Sequence, residues 1–155
     1  MKTMATTKKP EKITLLMLAK DVLKWLKPGS KVKLVPKANH GYIGTTKQRG
    51  GDVQTYLKSG KPCTVCGIGA LAAAAAFRKD ELQFDGFGLV ASSSLRRVCI
   101  QVTGLKPSQA DYIEYAFEYE EGLDHPAKSA KGRLTQICEN IVKNRGRFVR
   151  DGGAY

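Results

Sequence analysis

The stretch Cys63-Thr64-Val65-Cys66-Gly67-Ile68-Gly69-Ala70-Leu71, continuing through Ala72–Ala76 to Phe77, decides the fold. Its five consecutive alanines favour a helix, because alanine loses little side-chain freedom on becoming helical. Their small size lets neighbouring elements approach closely, and Gly67 and Gly69 do the same where the segment enters the core. The pattern therefore predicts a helix opening near Cys63 and Cys66 against which neighbouring elements pack closely.

Upstream of this helix, Leu15, Leu18, Ala19, Val22, Trp25 and Leu26 recur at helical spacing, with Pro10 as a candidate first position and Pro28-Gly29 as a stop. Lys31-Val32-Lys33-Leu34-Val35-Pro36 alternates with period two and predicts a short, half-exposed strand. Residues 37–51 are polar and glycine-rich and suit a long loop, of a length that is either functional or simply disordered, and 52–57 suit a short helix. Downstream, 82–90 carries two glycines and suits an irregular segment or a weak strand. Ser92–Ser94 are candidate caps for a helix burying Leu95, Val98, Cys99 and Val102, with a strand through Val98–Val102 as the rival. Ser108 and Asp111 have capping-box spacing for a helix burying Ile113, Ala116 and Phe117. A last helix over about 131–144 buries Leu134, Ile137, Cys138 and Ile141, with Gly146 as its C-terminal cap. The expected architecture is mainly α (α+β), one compact domain of about five helices with a small β element. Residues 1–9 are expected to form a flexible basic arm, 10–150 the globular domain and 151–155 a flexible tail.

Composition agrees with this. A chain of 155 residues, 42% apolar and 26% charged, is long enough for one domain with a real core. No run approaches the ~18 apolar residues of a membrane span, so neither a membrane partner nor a secretory signal is expected. Four cysteines are too few for a disulfide scaffold and fit a reduced, cytoplasmic setting. The net charge of +12 favours anionic partners. It is unevenly spread. Residues 1–60 hold 13 basic and 3 acidic side chains, 111–124 hold six acids and no base, and 125–150 hold seven bases and one acid.

Two constellations are candidates for chemistry. In the first, Cys63 and Cys66 stand two residues apart at a helix start beside Lys61, where the helix dipole and the lysine would lower a thiol pKa. The pair suits a nucleophile served by His125 (His40 second), a zinc module or a redox couple. Zinc needs two further ligands, no metal or cofactor is expected, and a redox couple needs a strand before the motif that the sequence does not show. Packing of both thiols into the core is the remaining reading. In the second, Lys20, Lys24, Lys27, Lys31, Lys33, Lys37, Lys47 and Arg49, with His40 and Tyr42, could form one cationic surface for nucleic acid or a host protein complex. Arg145 and Arg147 extend it at the C-terminus. The acidic helix carrying Glu114, Glu118, Glu120, Glu121 and Asp124 lacks metal-loop spacing and fits a mostly solvated face. Gly50-Gly51 and Gly67-Ile68-Gly69 are not nucleotide-binding signatures.

Three segments in order carry a resemblance: Cys63–Leu71, then Ile113-Glu114-Tyr115-Ala116-Phe117-Glu118, then Arg133 to Phe148. Over about residues 26–149 the chain resembles small uncharacterised proteins of bacteriophages and prophages. Their pattern is Cys-x-Val-Cys-x-x-Gly-Ala-Leu, an Ile-Glu-x-Ala-Phe-Glu helix and a closing helix ending Asn-x-Gly-x-Phe. Gly67 and Ile68 stand where that pattern has Ala and Leu. The resemblance implies a phage accessory protein acting in the host bacterial cytoplasm and carries over no catalytic residue. The leading expectation is a non-enzymatic protein that binds a host macromolecule or nucleic acid through its basic surface. Inhibition of a host defence or nucleic-acid-processing complex is one form this could take. The alternatives are a cysteine-dependent hydrolase or transferase and a structural zinc module.

Overall fold

A computed structural model describes residues 12–38, 43–45, 50–79 and 82–151. Its centre is helix α3 (Gly67–Arg78), in which every residue from Gly67 to Ala76 is buried. No polar side chain interrupts that run, so all faces of the helix can be covered. Helices α1 (Leu15–Trp25), α2 (Val53–Lys58), α4 (Ser92–Thr103) and α5 (Pro107–Tyr119) pack around it, and α6 (Ala130–Lys143) closes against α1 and α5. The closeness is explicit at Gly67, where a Cβ would stand 3.0 Å from Phe117 Cβ, so α5 crosses the first turn of α3 at a distance that a side chain at 67 would press on.

One edge of the core is a four-stranded sheet of β1 (Lys33–Pro36), β2 (Ile43–Gly44), β3 (Pro62–Val65) and β4 (Leu89–Val90), in the order β1-β3-β2-β4. β1 and β3 are parallel, with Leu34 opposite Cys63, while β2 runs antiparallel to both β3 and β4. The result is a single compact α+β domain with six helices, one more than expected.

Several boundaries differ from the sequence expectation, each for a local reason. A strand does precede the cysteine pair: Cys63 lies within β3, and the chain passes through Cys66 straight into α3. Helix α1 starts at Leu15, capped by the Thr14 hydroxyl, which accepts the Met17 N–H at 3.2 Å; Pro10 lies outside the described residues. The region 92–103 is helical, but Ala91 is its cap residue and Ser92–Ser94 form its first turn. In α5 the capping box does not form. Pro107 takes the first helical position and forces Lys106 into the extended cap conformation. Asp111 instead pairs with Arg96 of α4, whose other nitrogen lies 3.1 Å from Glu114. At the end of α6 the left-handed residue is Arg145 (φ 60°), and the Gly146 N–H closes the turn on the Ile141 carbonyl at 2.8 Å. Among the described residues no helix is long and apolar enough to cross a membrane. The expected arm, 1–9, and all of the expected tail except Asp151 lie outside the description.

Candidate functional site

The fold brings the two candidate constellations into opposite surroundings. Cys63 is fully buried in β3, and Cys66 is 2% exposed as the cap of α3, its sulfur accepting the Gly69 N–H at 3.1 Å. Burial pushes both thiols up to about 12. For Cys66 the Gly69 N–H pulls the other way, while the charges of Glu114 and Glu118 add to the rise. Cys99 is also pushed up to about 12, by burial and then by Cys66, and Cys138 is raised by burial. The dipole and lysine effects expected from the sequence are outweighed, because loss of water disfavours a thiolate more than one helix end favours it. A thiol near 12 is ionised to only about one part in 10⁵ at neutral pH. His125, the expected base, is exposed on the loop after α5, and no hydrogen bond joins it to either cysteine among the described residues. All four cysteines are free, and no group of three His, Cys, Asp or Glu among the described residues could hold a metal ion.

Two of the candidate basic residues, Arg145 and Arg147, by contrast, line an open groove of about 520 Å³. Its walls are the start of α1, the α4–α5 turn with the first turns of α5, and the segment after α6. Lys12, Lys106, Arg145 and Arg147 line it, all exposed, and among the described residues no Asp or Glu lines it. The first turn of α5 has no side-chain cap, so its positive dipole end adds to the same wall. One-signed charge around a low-dielectric concavity concentrates field and attracts anions. Of the four cations, Arg145 and Arg147 are sequence-predicted. Lys12 and Lys106 come from distant parts of the chain, and only the packing of α1 against α6 and the Lys106-Pro107 corner bring them in.

The groove's C-terminal wall has no regular secondary structure, yet it is tightly held. The Gln109 carboxamide donates to the Phe148 carbonyl and accepts the Phe148 N–H, both at 2.8 Å and both buried. Asn140 grips Val149 in the same two-way manner, at 2.7 and 2.8 Å. A third carboxamide, Gln136, accepts the Ala127 N–H and donates to the His125 carbonyl, fixing the loop between α5 and α6. Buried Arg133 donates to the carbonyls of Phe117, Ala127 and Lys128, neutralising the carbonyl end of α5. Phe148 fills the core, Arg147 precedes it over the groove, and Arg150 stacks on Tyr112 with its guanidinium 4.1 Å from the ring centre. The polar residues of the closing motif thus hold the loops on either side of α6 in place.

A second, shallower groove of about 380 Å³ gathers Lys27 and Lys33 with Lys131 of α6, again with no acid among its described lining residues. Sequence spacing gave no sign of Lys131. Lys20 and Lys24 continue an exposed row along α1 toward Lys27, and Lys31 and Lys37 are exposed at either side of β1. His40, Tyr42, Lys47 and Arg49 lie outside the described residues. The acidic helix is less solvated than expected. Glu114 is half-buried against Arg96, Glu118 is half-buried, and Glu120, Glu121 and Asp124 are exposed. No family model, curated protein or solved structure matches the chain.

Proposed function

We propose that the chain is a non-enzymatic accessory protein that binds nucleic acid, or a nucleic-acid-containing host complex, through the groove between α1 and α5. One observation carries this: four exposed cationic side chains line a single concavity that has no acidic residue among its described lining. Phosphates are the abundant anions that match such a surface, and each neutralised phosphate releases counterions and adds affinity. The second groove and the lysine row on α1 extend the positive field. The phage-like motifs support a role in the host bacterial cytoplasm, with inhibition of a defence or nucleic-acid-processing complex as one concrete form. Buried, protonated thiols give the cysteine-enzyme and zinc readings no comparable support.

The test is binding of the full chain to labelled DNA and RNA as salt is raised. Four phosphate contacts to a single strand predict an affinity loss of about 50-fold between 50 and 200 mM salt. Arg145→Glu with Arg147→Glu reduces affinity at least about tenfold at the lower salt, with the fold intact by circular dichroism. Undetectable binding at low salt, or binding indifferent to salt, contradicts the proposal.

A further inference from the structure

Resting on that proposal, we infer that the groove between α1 and α5 takes a single-stranded nucleic acid and does not admit a duplex. The first ground is size. A volume of about 520 Å³ equals a cube roughly 8 Å on a side, the scale of a small-ligand pocket. The major groove of B-DNA alone is about 12 Å wide, so a duplex is far too broad to enter.

The second ground is how charge and apolar surface are arranged. The cations are exposed, whereas Leu15 and Leu105, which also line the groove, are only 5% and 7% exposed. Half-buried Leu16 and Tyr112 line it too. The concavity therefore has an apolar floor and a cationic rim. A duplex keeps its base faces stacked inside and offers a stiff phosphate surface, so it can meet the rim but leaves the floor empty. A single strand turns out its bases and can set a base or sugar on the floor while its phosphates meet the rim. Each part of the groove then has a chemical counterpart in one ligand. The uncapped start of α5, through Lys106 and Ser108, lines the same groove and adds its positive helix end there.

The experiment compares the full chain's affinity for a short labelled oligonucleotide and for the same strand annealed to its complement, at one salt concentration. The expected result is single-strand binding about tenfold tighter or more, with a nucleoside monophosphate displacing the strand at lower concentration than inorganic phosphate. Leu16→Lys separates floor from rim. It adds a positive charge but spoils the apolar floor, so preference for the single strand narrows even though net charge rises. Should that variant fail to fold, the wild-type ratio still decides. Equal or tighter duplex binding overturns this inference and leaves nucleic-acid binding standing. Failure of both forms to bind overturns the proposed function and the inference with it.

Discussion

The β3–α3 corner and the groove between α1 and α5 place chemistry in opposite environments. The corner holds the residue types most associated with reactivity, two thiols at close spacing, and denies them water, charge partners and access. The groove gathers lysines and arginines at a solvent-exposed, shared curvature, with no Asp or Glu among the described residues that line it. A reactive residue type needs an environment that stabilises its reactive state, and the core around Cys63 and Cys66 stabilises the protonated one. A cation needs only exposure and company. The same fold explains both outcomes. An alanine helix narrow enough to be surrounded draws the cysteines inward, and the elements surrounding it leave their termini to meet at the groove.

Changes at the corner should be felt as stability and changes at the groove as affinity. The largest expected effect is alkaline. Folding raises Cys63, Cys66 and Cys99 from 9.0 to about 12, so above pH 9 the unfolded chain releases protons that the folded chain keeps. Stability is therefore unaffected by these thiols below pH 9 and falls as pH climbs from 9 toward 12. Between pH 9 and 10 the loss is about 1 kcal/mol per thiol, roughly 3 kcal/mol together. Urea midpoints across that range measure it, and a flat profile would show that the thiols meet solvent.

Overpacking comes next. Ala74 is fully buried in α3, and Ala74→Leu should cost about 2 kcal/mol because no neighbour can retreat. Lys12→Leu at the groove rim should change stability by less than about 0.5 kcal/mol while weakening nucleic-acid binding. Denaturant titration and binding on the same two proteins give the contrast. Gln109 bridges the two regions. Gln109→Ala leaves the buried N–H and carbonyl of Phe148 unpaired, costing about 2 kcal/mol, and loosens the segment carrying Arg147. Its affinity loss should be smaller than that of removing Arg147 itself.

The same contrast explains what the sequence made legible. The alanine run, the spacing in α1 and the alternation around Leu34 are local signals, and each element appears. The strand at Pro62–Val65 was hidden because only four residues separate its start from a helix cap, so its alternation merges with the helix that follows. The start of α5 was readable from Lys106-Pro107, a stronger signal than the Ser108 and Asp111 spacing. Gln109, Gln136 and Asn140 resemble ordinary solvated positions on amphipathic helices, because the backbone groups they hold are distant or in loops. Half of the groove's cations, Arg145 and Arg147, were visible as a cluster. Lys12 and Lys106 join them only through tertiary packing.

The central claim is that the groove cations, and not the thiols, carry the function. The most direct measurement is the slope of log affinity against log salt for single-stranded nucleic acid. It is taken on the wild type, on a variant with Lys12, Lys106, Arg145 and Arg147 all replaced by Ser, and on Cys63→Ala with Cys66→Ala. At about 0.7 per phosphate contact, the groove variant should lose close to 3 from the slope, and the cysteine variant should keep the wild-type value. An unchanged slope in the groove variant, or binding abolished in a folded cysteine variant, would contradict the claim.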